Sequence, residues 1–115
     1  MSGFPVRQVL DGVYVAPQLD ASAMHAAAAM GFKSVINNRP DFEHGPSQPA
    51  NHDIEAAAVA AGLEYRFLPV DGAHQSPQQI EAFARLLDEL PSPILAFCRS
   101  GTRSARLAML AQAQR

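Results

Sequence analysis

The chain has 115 residues, 48% of them hydrophobic and 17% charged, and its formal net charge at pH 7 is −2. This length and composition are typical of one globular domain, so we expect residues 1–115 to fold as a single unit. Such a small net charge gives no electrostatic reason to expect nucleic acid or an anionic lipid surface as a partner. The sequence has no run of about 18 apolar residues and no signal-peptide pattern, so we expect a cytoplasmic protein without membrane association.

Two strands and one helix are predicted in the first part of the chain. Residues 13–15 form a short apolar strand, and Asp20 is placed to cap a helix over residues 21–30. A second strand is expected over residues 32–36. Residues 37–46 are too polar and too rich in proline and glycine for regular structure, so they form a loop after that strand.

The same alternation continues through the rest of the chain. A helix is predicted over residues 51–61 and a strand over residues 63–70. A capping-box pattern opens a helix over residues 76–90, and an apolar run at residues 94–97 is typical of a buried strand. Apolar residues at helical spacing over residues 105–110 predict the last helix. This order predicts a three-layer α/β fold with a mainly parallel sheet, in which ligands bind beyond the carboxyl ends of the strands.

The only cysteine of the chain, Cys98, lies where the last predicted strand ends and the last helix begins. Unpaired N–H groups and the helix dipole attract anions at such a junction, and the same field favours a thiolate. Gly101 lets the backbone turn its N–H groups inward, and Arg103 offers a planar fork that fits a tetrahedral oxyanion. One cysteine cannot form an internal disulfide, so this thiol is free to act as a nucleophile.

Other polar residues complete the predicted site. The residues predicted to bind an anion beside Cys98 and Arg103 are Arg99, Ser100, Gly101, Thr102, Ser104 and Arg39. The pair of Arg39 and Asp41 either braces its own loop or brings Arg39 to the anion. Glu43 and the histidines lack the paired spacing of a metal site, so we predict neither a metal nor a cofactor.

Several stretches of the chain, in the same order, resemble one known family. They are residues 13–15, 18–19, 31–41, 69–71 and 98–104. Together they are similar to the phosphatase-like domain named after beta-lactamase-hydrolase-like proteins, a family also described as sulfur transferases. The resemblance implies a fold like that of dual-specificity phosphatases, with Cys98 as the nucleophile. It also implies that Asp71 is a general acid, although an Asp-Gly turn explains this residue equally well.

The loop after Cys98 departs from the phosphatase pattern. Four residues separate Cys98 from Arg103, whereas tyrosine phosphatases have five, and Ser104 stands at the position of their arginine. Phe97 also replaces the histidine that commonly precedes the phosphatase cysteine. The stretch is instead similar to the active loop of rhodaneses, which carry a sulfane sulfur on cysteine. Loop length therefore favours sulfur transfer, whereas the resemblance of the whole domain favours hydrolysis of a phosphate ester.

Three functions are open at this point, and sulfur transfer is the leading expectation. In it, the Cys98 thiolate takes the outer sulfur of a small anionic donor, such as thiosulfate or a persulfide, and passes it to a thiol or cyanide acceptor. The first alternative is a phosphatase in which Cys98 forms a phosphocysteine and Asp71 is the acid. The second alternative is a non-catalytic module that binds an anion or a partner, with Cys98 as a redox switch.

Overall fold

The computed structural model describes residues 4–114 of the chain. The strands within this range are β1 (Arg7–Leu10), β2 (Val13–Ala16), β3 (Ser34–Asn37), β4 (Glu64–Phe67) and β5 (Ile94–Phe97). The helices are α1 (Ala21–Ala29), α2 (Asn51–Ala60), α3 (Pro77–Glu89) and α4 (Thr102–Ala113). Every predicted strand and helix has a counterpart, whereas β1 is not predicted from the sequence. None of the helices between residues 4 and 114 is long and apolar enough to cross a membrane.

The strands form one sheet in the order β1-β2-β5-β3-β4. β2, β5, β3 and β4 pair in parallel, and β1 pairs antiparallel with β2 at the edge. The prediction of a mainly parallel sheet is therefore confirmed. β5 lies between β2 and β3, and all four of its residues are buried. Its carboxyl end places the following residue, Cys98, at the centre of one sheet edge.

The sheet is covered by a pair of helices on each face. Successive side chains of a strand point to opposite faces, and the two hydrophobic cores follow this alternation. Val15, Ile36 and Ala96 belong to the core that includes buried residues of α3 and α4. Val35, Leu95 and Phe97 belong to the core that includes buried residues of α1 and α2. The predicted three-layer α/β architecture is thus confirmed.

Two helix starts match the capping patterns in the sequence. Asp20 Oδ1 accepts a hydrogen bond from Ala23 N–H at 3.1 Å at the start of α1. At the start of α3, Ser76 Oγ accepts from Gln79 N–H at 3.1 Å, and Gln79 Oε1 accepts from Ser76 N–H at 2.9 Å. These reciprocal bonds satisfy donors that the helix cannot use internally. α3 therefore begins immediately after the loop at residues 71–75, and this fixes that loop beside the sheet edge.

Candidate active site

Polar segments that follow β3, β4 and β5 meet at Asn38, the residue after β3. Its backbone N–H donates to Phe97 O at 2.9 Å, and its carbonyl accepts from Val70 N–H at 3.0 Å. Its side-chain amide donates to Leu68 O at 3.0 Å, and its Oδ1 accepts from Ser104 Oγ at 2.8 Å. Asn38 is 0% exposed. One buried side chain therefore fixes the segments after β4 and β5 relative to β3.

The loop after β5 places the sulfur of Cys98 at the N-terminus of α4. Cys98 is buried, and its Sγ accepts a hydrogen bond from Gly101 N–H at 3.1 Å. α4 begins at Thr102, earlier than the predicted residue 105, and is preceded by Gly101 in the left-handed conformation with φ +93°. The helical bonds start from Ala105 N–H to Gly101 O at 3.0 Å, so the N–H groups of residues 102–104 point out of the helix end. This helix end and the Gly101 N–H both stabilise negative charge at the sulfur.

The remaining residues of this loop form its outer rim. Arg99, Ser100 and Thr102 are exposed. Ser100 Oγ donates to Thr102 Oγ1 at 3.2 Å, which links the two hydroxyls of the rim. Gln18 N–H donates to Arg99 O at 3.1 Å and ties the loop to the segment after β2. The loop is therefore anchored by backbone bonds, while its side chains face solvent.

Arg103 extends from α4 toward the segments after β3 and β4, and its side chain is only 10% exposed. Its Nη1 donates to Val70 O at 3.1 Å and lies 3.1 Å from Glu43 Oε2, and its Nη2 donates to Glu43 Oε1 at 3.2 Å. Arginine commonly forms such two-point pairs with carboxylates. Its Nε is buried and has no hydrogen-bond partner within residues 4–114. Because a buried N–H without an acceptor costs about 1–3 kcal/mol, an oxyanion that reached this atom would be stabilised.

Glu43 lies between two arginines. Its Oε1 accepts from Arg39 Nε at 2.8 Å as well as from Arg103. Burial alone would raise the pKa of the Glu43 carboxyl, but hydrogen bonds and charges of Arg39 and Arg103 outweigh it and lower the pKa. Arg39 also donates from Nη1 to Gln18 Oε1 at 2.9 Å, and its side chain is 7% exposed. The donors of Arg39 thus hold Glu43 and Gln18, so Arg39 braces Glu43 in this structure.

Asp71 lies in an exposed turn beside Arg103. Its Oδ1 accepts from Ala73 N–H at 2.8 Å, as the alternative interpretation of an Asp-Gly turn requires. The residues on both sides of it nevertheless touch Arg103: Val70 O accepts from Nη1, and a Cβ added to Gly72 would lie 2.8 Å from Nη2. Asp71 is therefore close to the buried guanidinium, with its carboxylate directed into its own turn.

Several predicted site residues are brought together, and others take different partners. Cys98, Gly101 and Arg103 all lie in the loop and first turn of α4. Ser104, which was predicted to bind an anion, donates its hydroxyl to Asn38, so only its backbone N–H remains for that purpose. Asp41 Oδ1 accepts from Asn51 N–H at 2.7 Å, so it does not pair with the neighbouring Arg39.

Three residues of the site were not recognised as such in the sequence. Glu43 was considered only as a metal ligand, Asn38 only as part of a family resemblance, and Gly72 only as part of a turn. The polar pair of Asn37 and Asn38, directly after the apolar residues 35 and 36, was the available signal for Asn38, since buried asparagines require several partners. Glu43 and Gly72 carry no such signal, because they belong to the site only through their contacts with Arg103, which lies far from both in the sequence. Within residues 4–114, no cluster of three or more histidine, cysteine or acidic side chains is placed to hold a metal ion.

A family model described as "Beta-lactamase hydrolase-like protein, phosphatase-like domain" matches residues 5–115. The chain belongs to this family. The beta-lactamase hydrolase-like protein of Agrobacterium fabrum is 44% identical over 86 residues, which cover 75% of this chain and 20% of that protein. The relative in Xylella fastidiosa is 42% identical over 85 residues, again 20% of its length. The chain thus spans about a fifth of the length of the curated relatives it matches.

Solved structures share the fold of this phosphatase-like domain. A candidate phosphatase from Neisseria meningitidis matches with a TM-score of 0.80 and 32% identity, over 88% of this chain and 71% of that chain. The core catalytic domain of the PP-IP phosphatase SIW14 from S. cerevisiae, in complex with citrate, matches with a TM-score of 0.63 and 14% identity, over 87% and 60%. The second likeness concerns the fold alone. The chain therefore has the fold of dual-specificity and tyrosine phosphatases, as the resemblance implied.

Proposed function

We propose that this domain is a cysteine-dependent phosphatase that hydrolyses phosphate monoesters. The observation that carries the proposal is that the first turn of α4 holds both groups: the Cys98 sulfur accepts from Gly101 N–H at the start of this helix, and Arg103 in its first turn is buried with one unused donor. Family membership and the phosphatase fold of its neighbours support hydrolysis over sulfur transfer, which loop length alone favours.

In the first step, the Cys98 thiolate attacks phosphorus. A sulfur–phosphorus bond forms, the bond to the ester oxygen breaks, and the leaving oxygen takes a proton from the Asp71 carboxyl. The non-bridging oxygens bind the backbone N–H groups of Arg103 and Ser104 and the Arg103 Nε, where negative charge is stabilised by fixed donors. The Thr102 N–H, which donates to Ser100 Oγ at 3.4 Å in this structure, is available only if that bond opens. Asp71 must leave its bond to Ala73 N–H to reach the leaving group.

In the second step, water hydrolyses the phosphocysteine. Asp71, now a carboxylate, accepts a proton from the water, an oxygen–phosphorus bond forms, and the bond from sulfur to phosphorus breaks. The products are the alcohol and inorganic phosphate, and the Cys98 thiolate is restored. Neither step requires a metal or a cofactor.

Sulfur transfer is the second candidate function, because the four-residue spacing between Cys98 and Arg103 matches the active loop of rhodaneses. The Cys98 thiolate would attack the outer sulfur of thiosulfate, with release of sulfite and formation of a persulfide. A thiol or cyanide would then accept the sulfur. This reaction needs no general acid, so Asp71 has no part in it.

The experiment that tests the proposal compares both reactions on one protein. We expect turnover of 4-nitrophenyl phosphate that Cys98→Ser abolishes and that Asp71→Ala lowers by roughly 10²–10⁴-fold. Asp11→Ala is a matched control, because Asp11 belongs to another Asp-Gly turn, which lies between β1 and β2 at the opposite end of the parallel strands. A mass increase of about 32 daltons after incubation with thiosulfate, together with no phosphate release, would instead support sulfur transfer through a covalent cysteine intermediate.

A further inference from the structure

A surface groove lies between the edge strand β1 and helix α4. It has a volume of about 600 Å³, and Arg7 on β1 and Arg106 on α4 both line it. Val9, Ala105 and Met109 contribute apolar surface between them, and Met109 is 56% exposed. The groove therefore combines two cations, on different elements, with an apolar floor.

The two arginines of this groove differ from most others in the protein. Each of Arg39, Arg66, Arg85 and Arg103 lies within 4.0 Å of a carboxylate oxygen. Arg7 and Arg106 are exposed and have no ion pair within the described range 4–114, and the groove is lined by no acidic residue. In a chain with a net charge of −2, this leaves a local positive potential that is not neutralised by the protein itself.

The groove is continuous with the surroundings of the active loop. Thr102, the first residue of α4, lines it and lies four positions after Cys98 in the chain. Arg7 also lines a neighbouring cavity of about 240 Å³, whose other lining residues include Ser100 and Gly101. Arg7 therefore stands between the active loop and Arg106.

We propose that the groove between Arg7 and Arg106 binds a second anionic group of the substrate, joined to the reacting group through an apolar linker. This inference rests on the proposed function, since it places the reacting phosphate at Cys98. The two guanidinium groups would pair with the second anion, while Met109 and Ala105 would contact the linker. The substrate class is then a phosphate monoester that carries a carboxylate or a further phosphate.

The test compares two ligands that differ only in charge. They are the phosphate ester of 3-(4-hydroxyphenyl)propanoate and that of the corresponding propanamide, titrated calorimetrically into the Cys98→Ser protein, which cannot turn them over. We expect the carboxylate to bind roughly three- to tenfold more tightly than the amide at low salt, and the preference to disappear in about 0.5 M NaCl. The double variant Arg7→Gln/Arg106→Gln should abolish the preference, and Arg7→Glu/Arg106→Glu should reverse it.

Lys33→Gln is the matched control, because Lys33 is exposed and has no ion pair within the described range, but lies at the amino end of β3. This variant should keep the preference for the carboxylate. Equal affinity for the two ligands, or an equal loss of preference in Lys33→Gln, would overturn the proposal. If the preference is present and the wild-type protein hydrolyses neither ester, the phosphatase proposal fails while the second anion site stands. If both esters are hydrolysed but bind with equal affinity, the proposal of a second anion site fails while the phosphatase proposal stands.

Discussion

The two ends of the parallel strands are built in different ways. At the amino end, the charge of Lys33 is exposed, and the buried Ser34 donates to a backbone carbonyl, Pro91 O, at 2.7 Å. At the carboxyl end, the side chains of Arg39 and Arg103 are only 7% and 10% exposed. The charge of Lys33 is therefore exposed to solvent at the amino end, whereas two arginine side chains are buried at the carboxyl end.

Stability alone does not account for the carboxyl end. Burial of an arginine removes its hydration, which costs free energy. The attraction to a buried carboxylate is often no larger than this desolvation cost. Arg103 also keeps a buried Nε without an acceptor. Proteins accept such local costs mainly where a functional site requires them. The difference between the two ends thus locates the site independently of the cysteine motif, and variants at each end test it.

The largest effect on stability is expected from Asn38→Ala. This change leaves Ser104 Oγ and Leu68 O without their partner and should lower the free energy of unfolding by about 2–4 kcal/mol. Urea unfolding at 25 °C measures it. Asn38→Asp, which would place a buried carboxylate against Leu68 O, should be at least as destabilising as the alanine variant at pH 7. A loss below about 1 kcal/mol in Asn38→Ala would mean that Asn38 does not hold the three segments together.

Gly72→Ala is expected to affect activity far more than stability. Its Cβ would lie 2.8 Å from Arg103 Nη2 and 3.2 Å from Nε, so the guanidinium must move. A displacement of about 1 Å at a reacting centre can cost about 10²-fold, and we expect kcat/KM for an aryl phosphate to fall by about that factor. The free energy of unfolding should change by less than about 1 kcal/mol, because the clash involves the end of a flexible side chain. Full activity in this variant would show that catalysis does not depend on the position of the Arg103 guanidinium.

The local patterns of the sequence predict most of the fold and the centre of the site. Strand–helix alternation predicts the layers because a parallel sheet must be covered on both faces. Cys98 and Arg103 follow from a short apolar strand and a polar loop that are adjacent in sequence. β1 escapes prediction because two of its four residues, Arg7 and Gln8, are polar and exposed, so it lacks a continuous apolar pattern.

The parts that could not be predicted depend on contacts between distant segments. Glu43 and Arg103 are separated by 60 positions, and Ser104 and Asn38 by 66. The loop that carries Glu43 has no periodicity from which its direction could be inferred. The same applies to Asp71, whose proximity to the guanidinium is visible only once Val70 is seen to bind Arg103.

Glu43→Gln should lower activity by about tenfold, since the amide keeps the shape of the carboxylate but loses the charge that orients Arg103. Both kcat/KM for an aryl phosphate and the affinity for inorganic phosphate should fall. Glu81→Gln is the matched control: Glu81 pairs with Arg85 at 2.7 Å, but both side chains are exposed. It should leave both quantities unchanged, as exposed ion pairs contribute little. If Glu43→Gln binds phosphate more tightly, Glu43 competes with the anion and does not orient Arg103.

The contribution of Glu43 to stability should depend on pH. Its two arginines, acting against burial, hold the folded-state pKa of its carboxyl below the ordinary value. A carboxyl with a lowered folded pKa stabilises the protein fully above the unfolded value of about 4.3, and this stabilisation is lost as the pH falls through the folded pKa. The difference in unfolding free energy between wild type and Glu43→Gln should therefore shrink as the pH falls from about 5 to about 3. A difference that stays constant over this interval would contradict the ion pairs.

The smallest effects are expected from two buried serines, one at each end of the strands. Ser34 and Ser104 are both 0% exposed, and alanine at either position removes one hydrogen bond, worth about 1 kcal/mol. The partner of Ser34, Pro91 O, belongs to an exposed residue, so water can replace the lost donor, whereas Asn38 Oδ1 is enclosed. Ser104→Ala should therefore cost more stability, and it alone should lower turnover of an aryl phosphate, because α4 loses its link to Asn38. Equal changes in turnover in both variants, measured under the same conditions, would remove the distinction between a structural and a functional end of the sheet.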